Sequence, residues 1–368
     1  MNSNINVAIT GIGIVSPLGI GKEENWKQLI NCNHKIYYSK KFDAYIANVG
    51  NLNVCDTKKQ YQMAKLAICQ ALQDASIANS FSNKKVGFCL GESKINLFTN
   101  PFKYSLLEKL NQTFYFNGPL SCVSAACATG ILTIIQGCNL IKDGIYDAVV
   151  CGCSETSIHP LYIAGFKKMG VLTKHLPSPF DKDRDGFAIG EGAGFIVLES
   201  LEKAIKNNAK IYAEIVNFSN GIYSDNTLSI SSHSKMTQII KKTVSNHTPD
   251  YIHMHGTATK LNDYNESKAV FESFNNASKI SLSSTKAATG HMLSVSAIAG
   301  TIFSLLAMAN NIVPPTLNFT QTDINLNLDY TPNNPKTRTI NSSLVLSFGF
   351  GGQSCALFLK KHKREQYV

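Results

Sequence analysis

Two kinds of apolar segment alternate along the chain. Short runs rich in branched residues read as buried strands: Val7–Gly13, Val86–Leu90, Asp147–Cys151, Phe195–Leu198, Ile211–Val216, Tyr251–Met254 and Ser343–Leu346. The first is expected to run into a glycine turn at Gly11-Ile12-Gly13. Longer segments carry their apolar residues at helical spacing. Between Lys58 and Ile77, Ala64, Ala67, Ile68, Ala71, Leu72 and Ala75 recur on one face. Thr129–Lys142 is helical and apolar and stops at Asp143-Gly144, and Leu201–Lys206 begins a surface helix. Leu293–Ala309 is interrupted by Ser294, Ser296, Gly300, Thr301 and Ser304, so it predicts a buried helix and not a membrane span. The polar and aromatic stretch from Glu92 to Asn117 shows no clear period and predicts no element. Strands alternating with helices predict a layered α/β fold. A weak seam near Asn207–Lys210 divides the chain into 1–207 and 208–368, with no repeat visible at a fixed period.

At 368 residues the chain can bury a sizeable core without staples. Hydrophobic residues at 44% against 16% charged exclude a disordered or coiled-coil chain. The net charge of +10 favours an acidic partner. Nucleic acid is not that partner, because no interleaved aromatic and basic motif is present. The start Met1-Asn2-Ser3-Asn4 lacks the basic, apolar and small-residue blocks of a secretory leader. The ten cysteines form no paired CxxC sets, which points away from a zinc site or a disulfide framework. Cys69, Cys89 and Cys138 lie in apolar segments as small hydrophobes, and a cytoplasmic protein is expected.

Four constellations could carry chemistry. Val123-Ser124-Ala125-Ala126-Cys127-Ala128-Thr129-Gly130 is a tight small-residue turn feeding a helix. A cysteine there faces a helix N-terminus, which favours thiolate, and nearby N–H groups are available to an oxyanion. The local sequence equally allows one more buried small residue. His253-Met254-His255-Gly256-Thr257-Ala258-Thr259, followed by Asp263 and Glu266, ends an apolar strand and opens a loop. A metal pair at His253 and His255 lacks a third ligand at a diagnostic spacing. Lys286-Ala287-Ala288-Thr289-Gly290-His291 places a second histidine before the long apolar helix, where a structural histidine is the commoner outcome. Ser347-Phe348-Gly349-Phe350-Gly351-Gly352 is a glycine-rich turn between strands that fits neither a Walker loop nor a dinucleotide fingerprint.

Taken in this order, these segments resemble the β-ketoacyl-acyl-carrier-protein synthases, the elongating condensing enzymes of the thiolase superfamily. The likeness begins at Ile9-Thr10-Gly11-Ile12-Gly13 and runs through the Cys127 turn, Pro179–Phe187, Gly190-Glu191-Gly192, both histidine motifs and the Phe348–Gly352 turn. The resemblance implies a duplicated five-layer αβαβα fold, dimeric, with the nucleophile in the first half and two catalytic histidines in the second. It implies that Cys127 takes an acyl chain as a thioester and that a malonyl thioester then decarboxylates and attacks it. His255 and His291 would face the thioester oxygen, and the N–H groups of Cys127 and Phe350 would form a second oxyanion hole. Lys286 and Glu266 would orient the histidines through a polar network, Thr257 and Thr259 would contact pantetheine, and the Phe350 ring would act as a gate. No metal or resident cofactor is implied, since the substrates ride on the phosphopantetheine of an acidic acyl carrier protein. Lys65, Lys167, Lys168 and Lys174 are candidate contacts for that carrier, whereas the tail Lys360–Arg364 reads as a solvated end.

The sequence also departs from the family pattern. Only the 26 residues 92–117 separate Gly91 from Gly118, a short version of a region that helps build the dimer interface and acyl pocket. Ala125 stands where threonine is common and Ala258 where glycine is common, and Ser294, Val295, Ala297 and Gly300 follow His291. These differences predict a specialised type II ketosynthase for a polyene, such as an aryl polyene, or a polyketide. It would work as a homodimer or with a homologous cysteine-less chain-length-factor subunit. Two other readings are a housekeeping fatty-acid synthase and a non-elongating pairing subunit, the latter disfavoured by the presence of Cys127, His255 and His291.

Overall fold

The structure, a computed structural model, describes residues 6–50, 52, 56–77, 85–93, 105–222 and 231–362. Its main sheet is built from ten strands in line. In chain order these are β1 (Val7–Ser16), β2 (Val86–Gly91), β3 (Leu120–Val123), β4 (Ala148–Glu155) and β5 (Gly192–Ser200) in the first half. The second half supplies β6 (Ala213–Ile222), β7 (Tyr251–His253), β8 (Ser281–Ser283), β9 (Ser342–Phe348) and β10 (Gln353–Lys360). The spatial order is β8-β7-β9-β10-β6-β1-β5-β4-β2-β3.

The two halves have the same pairing pattern. In the first, β3, β2 and β4 pair parallel, then β4–β5 and β5–β1 pair antiparallel. In the second, β8, β7 and β9 pair parallel, then β9–β10 and β10–β6 pair antiparallel. Val7, Ala8 and Ile9 of β1 lie opposite Ile215, Glu214 and Ala213 of β6, so the halves join edge to edge. The helices repeat the scheme: α1 (Asp56–Asp74), α2 (Leu106–Phe114) and α3 (Thr129–Lys142) answer to α4 (His233–Val244), α5 (Lys260–Ser273) and α6 (Ser294–Asn310). This is a duplicated thiolase-like fold.

The five layers follow from where apolar faces are buried. The central layer is α3 against α6, and it holds Ile131, Ile134, Ile298, Ile302 and Phe303, all fully buried. Burying each such side chain contributes about 1.5–3 kcal/mol. Gly130 allows the two helices to touch, because a Cβ there would sit 2.6 Å from the Ile298 nitrogen. On one outside, α1 lays Ala64, Ala67, Ile68 and Ala71 on the first half-sheet; on the other, α4 and α5 bury Met236, Ile239, Ile240, Ala269 and Val270.

Local sequence placed most elements, with four differences. The Gly11-Ile12-Gly13 segment is not a turn, since β1 continues to Ser16. The glycines serve a close crossing: a Cβ on Gly11 would meet the Ala71 carbonyl at 2.2 Å, and on Gly13 the Ala67 carbonyl at 2.0 Å. The period-less stretch holds a helix, α2, started by Ser105, whose Oγ accepts the Glu108 N–H at 3.0 Å; residues 94–104 of that stretch lie outside the described residues. Of the cysteines read as small hydrophobes, Cys89 and Cys138 are buried and Cys69 is half-buried. The tail is tied down in part: Lys361 Nζ donates to the Met308 carbonyl at 3.2 Å and His362 Nδ1 lies 2.6 Å from Glu214. Lys363 and Arg364 lie outside the described residues. Among the described residues no helix is long and apolar enough to cross a membrane, and Leu293–Ala309 is the buried α6.

Candidate active site

The turn between β3 and α3 is an elbow. Ala126 adopts φ +47°, a left-handed conformation that a residue with a Cβ holds only under constraint. The constraint is Thr129, whose Oγ1 accepts the Ala125 N–H at 2.8 Å and donates to the Ala126 carbonyl at 2.6 Å. The small neighbours Ala125, Ala126 and Ala128 leave room around Cys127, which sits 5% exposed in the short 3-10 turn ahead of α3. Its carbonyl accepts a hydrogen bond from Ser347 Oγ at 3.0 Å, which ties the elbow to the end of β9.

The glycine-rich turn after β9 closes on that elbow. A Cβ on Gly349 would stand 3.1 Å from both the Cys127 nitrogen and Ala126 Cβ, so the two backbones approach as only glycine permits. Gly351 and Gly352 follow Phe350 at φ +75° and +71°, conformations favoured by glycine. Ser231 Oγ and Ser354 Oγ lie 2.6 Å from each other and each 3.2 Å from the Gly352 carbonyl, which anchors the far end of the turn.

His255 lies just beyond β7, where the chain turns at Gly256, and its backbone is clamped from two sides. Glu266 on α5 accepts the N–H groups of His255 and Gly256, the second at 2.8 Å, and Lys286 Nζ donates to the His255 carbonyl. Its ring meets that of Phe348 edge-on at 6.1 Å, with Ser347 Oγ 3.5 Å from Nδ1. His291 precedes α6. Its N–H donates to the Ala188 carbonyl at 2.7 Å, its carbonyl accepts the Gly190 N–H at 2.9 Å, and the Phe187 ring abuts it at 4.9 Å. The polar network therefore differs from expectation. Lys286 and Glu266 hold the backbone of His255, whereas the His291 ring is held by Ser296, with Oγ 2.9 Å from Nδ1.

Burial sets the charge states. The imidazoles of His255 and His291 are driven well below the ordinary histidine range by burial and then by the Lys286 ammonium, so both rings are neutral at physiological pH. Burial pushes the Glu266 carboxyl up to about 7 and Asp263 up to about 6, and it lowers Lys286 to about 8. Asp263 accepts the Phe180 N–H at 2.8 Å, which fixes the loop carrying the Pro179–Phe187 segment. His253 is engaged away from His255: its Nε2 lies 3.1 Å from Thr285 Oγ1, and its ring fills the space over Gly300.

Cys127, His255, His291, Thr257, Thr259 and Phe350 all line one cavity of about 290 Å³. Lys286 and Glu266 lie behind it, fully buried. Thr257 and Thr259, with hydroxyls 2.9 Å apart, stand on the wall that leads outward to exposed Leu261 and Met169. Sequence reasoning missed Thr129, Ser296, Ser347 and the aromatic supports Phe187 and Phe348. Of the candidate carrier contacts, Lys167 and Lys168 end the helix Pro160–Lys168, which leads directly into Met169 at the mouth, and Lys167 pairs with Asp43 at 2.9 Å.

A cysteine on a constrained elbow and two neutral imidazoles from the other half share one cavity, on the duplicated fold of the thiolase-like condensing enzymes. Comparison with known proteins gives the family. The N-terminal domain of β-ketoacyl synthases matches residues 30–204 and the C-terminal domain matches 212–320. The chain belongs to the β-ketoacyl synthase family of acyltransferases. It is 33% identical to a putative mitochondrial 3-oxoacyl-[acyl-carrier-protein] synthase of Schizosaccharomyces pombe, over 96% of this chain and 99% of the relative. It is 30% identical to 3-oxoacyl-[acyl-carrier-protein] synthase 2 of Synechocystis, over 97% and 98%. Among solved structures, it is similar to a type II polyketide synthase acyl-carrier protein in complex with its ketosynthase bound to the hexaketide (TM-score 0.90, 25% identity, 98% of this chain and 100% of that one). The ishigamide ketosynthase/chain length factor shares the fold at a TM-score of 0.89 and 24% identity, covering 98% and 100%.

Proposed function

We propose that this protein catalyses decarboxylative condensation of malonyl-acyl-carrier-protein with an acyl chain held on Cys127. The Cys127 thiolate attacks the acyl thioester of a carrier protein, its sulfur bonds to the acyl carbon, and the pantetheine thiol leaves. A malonyl thioester then enters past Thr257 and Thr259 and loses carbon dioxide. The electrons of the broken C–C bond form an enolate, whose oxygen faces His255 and His291. The enolate carbon attacks the acyl carbonyl, held by the N–H groups of Cys127 and Phe350. A C–C bond forms, Cys127 is released, and a β-ketoacyl thioester departs on the carrier. The Phe350 ring on its two-glycine hinge admits the two substrates in turn.

The observation that carries this reading is the elbow at Cys127, facing two imidazoles kept neutral by burial. A neutral imidazole can donate one hydrogen bond to a growing oxyanion without drawing a malonyl carboxylate into an ion pair. The proposal requires no resident metal or cofactor, because each bond change is between the substrates and Cys127. It takes the enzyme as a cytoplasmic dimer, self-paired or paired with a homologous cysteine-less subunit, and the carrier as an acidic partner, with Lys65, Lys167, Lys168 and Lys174 as its candidate contacts. The shortened 92–117 segment supports a specialised acyl chain, polyene or polyketide, over a long saturated one.

Intact mass spectrometry after mixing with acyl carrier proteins that bear saturated, polyunsaturated or polyketide chains tests the reading. The expected result is one acyl adduct on Cys127, with product after malonyl-carrier is added. No adduct with any chain would overturn it, and an adduct that is never elongated would instead assign the protein as a non-elongating pairing subunit.

A further inference from the structure

We propose that Ser296 is a positioning residue that fixes His291 as the tautomer with its ring proton on Nε2. The inference rests on the function proposed above and adds a device to it. Ser296 is buried in the first turn of α6. Its Oγ accepts the Met292 N–H at 2.8 Å and stands 2.9 Å from His291 Nδ1. A serine hydroxyl has a single proton to give. Among the described residues, His291 Nδ1 is the acceptor within reach of it. The hydroxyl therefore donates to Nδ1, which must present its lone pair, and the proton of a neutral imidazole is left on Nε2.

The rest of the surroundings prevent the ring from escaping this arrangement. Its backbone is bonded on both sides to Ala188 and Gly190, and the Phe187 ring stands edge-on at 80°. The ring lines the cavity shared with Cys127, so Nε2–H is the group it has left to offer a thioester oxygen there. The other tautomer would aim a lone pair at the growing negative charge. His255 has no equal support, because Ser347 Oγ, 3.5 Å from its Nδ1, already donates to the Cys127 carbonyl at 3.0 Å. The two imidazoles are thus held in different ways, His291 by its ring and His255 by its backbone.

The test uses full-length protein with 15N-labelled histidine and two assays, acyl loading of Cys127 and decarboxylation of malonyl-carrier. The wild-type His291 signals, assigned by their loss in His291→Gln, are expected to show a protonated Nε2 and a bare Nδ1. Ser296→Ala is expected to give a mixture of tautomers. It should slow decarboxylation at least about tenfold more than loading, less than the 10²–10³-fold of deleting an oxyanion donor outright. Ser296→Thr, which keeps the hydroxyl, is expected to restore both the tautomer and the ratio. A wild-type Nδ1–H signal overturns the proposal, as does a Ser296→Ala protein whose two half-reactions change in parallel. Failure of wild-type protein to load any acyl chain would sink the proposed function instead, and the tautomer signal would still be readable.

Discussion

The rings of His255 and His291 meet edge to face, with centroids 5.6 Å apart and planes at 83°. One comes from the end of β7 and the other from the turn before α6, and Lys286, at the head of the turn, bonds the His255 carbonyl. This pairing sets two donors side by side across one cavity from Cys127, and several measurements follow from how it is supported.

Gly349 lets the Phe350 turn press against the Cys127 nitrogen. A methyl group there, 3.1 Å from that nitrogen, must push the elbow or the turn by a few tenths of an ångström. Gly349→Ala is expected to slow acyl loading about tenfold, since displacements of this kind cost up to 10²-fold in rate. Single-turnover loading followed by mass spectrometry reads this directly, and an unchanged rate would show that these N–H groups form no oxyanion hole.

Glu266 takes two backbone N–H groups in a fully buried site. Glu266→Ala leaves both buried donors without their acceptor, so stability is expected to fall by about 1–3 kcal/mol for each donor. Glu266→Gln, which keeps one acceptor, is expected to cost about 1–3 kcal/mol. Urea midpoints of the two variants compare them; equal losses would contradict the part played by the second carboxylate oxygen.

Burial holds His253 at about 3, whereas an unfolded histidine titrates near 6.5. Because the folded value is the lower one, the unfolded chain binds the extra proton between those limits. Stability is complete above 6.5 and falls as pH drops toward 3, by about 1.4 kcal/mol per pH unit for this residue. His255 and His291 act in the same direction. Glu266 and Asp263, raised by burial, act oppositely, gaining stability as pH falls through about 7 and about 6. His253→Gln is therefore expected to flatten the acid side of the stability curve by about one proton, measured as urea midpoints from pH 4.5 to 6.5. An unaltered slope would place His253 in contact with water.

Gly300 gives His253 its space on α6, since a Cβ would lie 2.6 Å from both Cε1 and Nδ1 of the imidazole. The ring cannot retreat without breaking its contact with Thr285. Gly300→Ala is expected to destabilise by about 1–3 kcal/mol despite alanine's better helix propensity. A thermal melt that rises would show the ring to be mobile.

What was legible in the sequence was what short-range physics controls. Thr129–Lys142 forms a helix with the predicted ends and a helix begins at Leu201 as expected, because periodicity and stop signals are local. The helix α2 was equally available: Ser105 and Glu108 form the start signal of a helix, hidden by the irregular polar stretch before it. Gly11 and Gly13 misled because a glycine pair reads as a turn when nothing shows that α1 crosses over it. Cys127 could be singled out from its small neighbours and the helix after it, His255 from its place after an apolar strand, and His291 from its place before the long apolar helix. Ser296 and Ser347 could not, as a serine's role depends on what faces its hydroxyl.

The order of apolar runs, the elbow of small residues and the two histidine motifs were determined by the amino-acid sequence alone, because each depends on neighbours within a few positions. The residues themselves show no repeat, and the duplication that the family resemblance implies becomes visible only in the tertiary structure. The two halves share strand pairing and helix placement but not residues, since a fold asks for apolar faces of the right period and tolerates many side chains on them. It also decided that His255 and His291 share a cavity with Cys127 and that burial keeps both rings neutral. Charge state and convergence are properties of what surrounds a group, and those surroundings come from segments hundreds of residues apart.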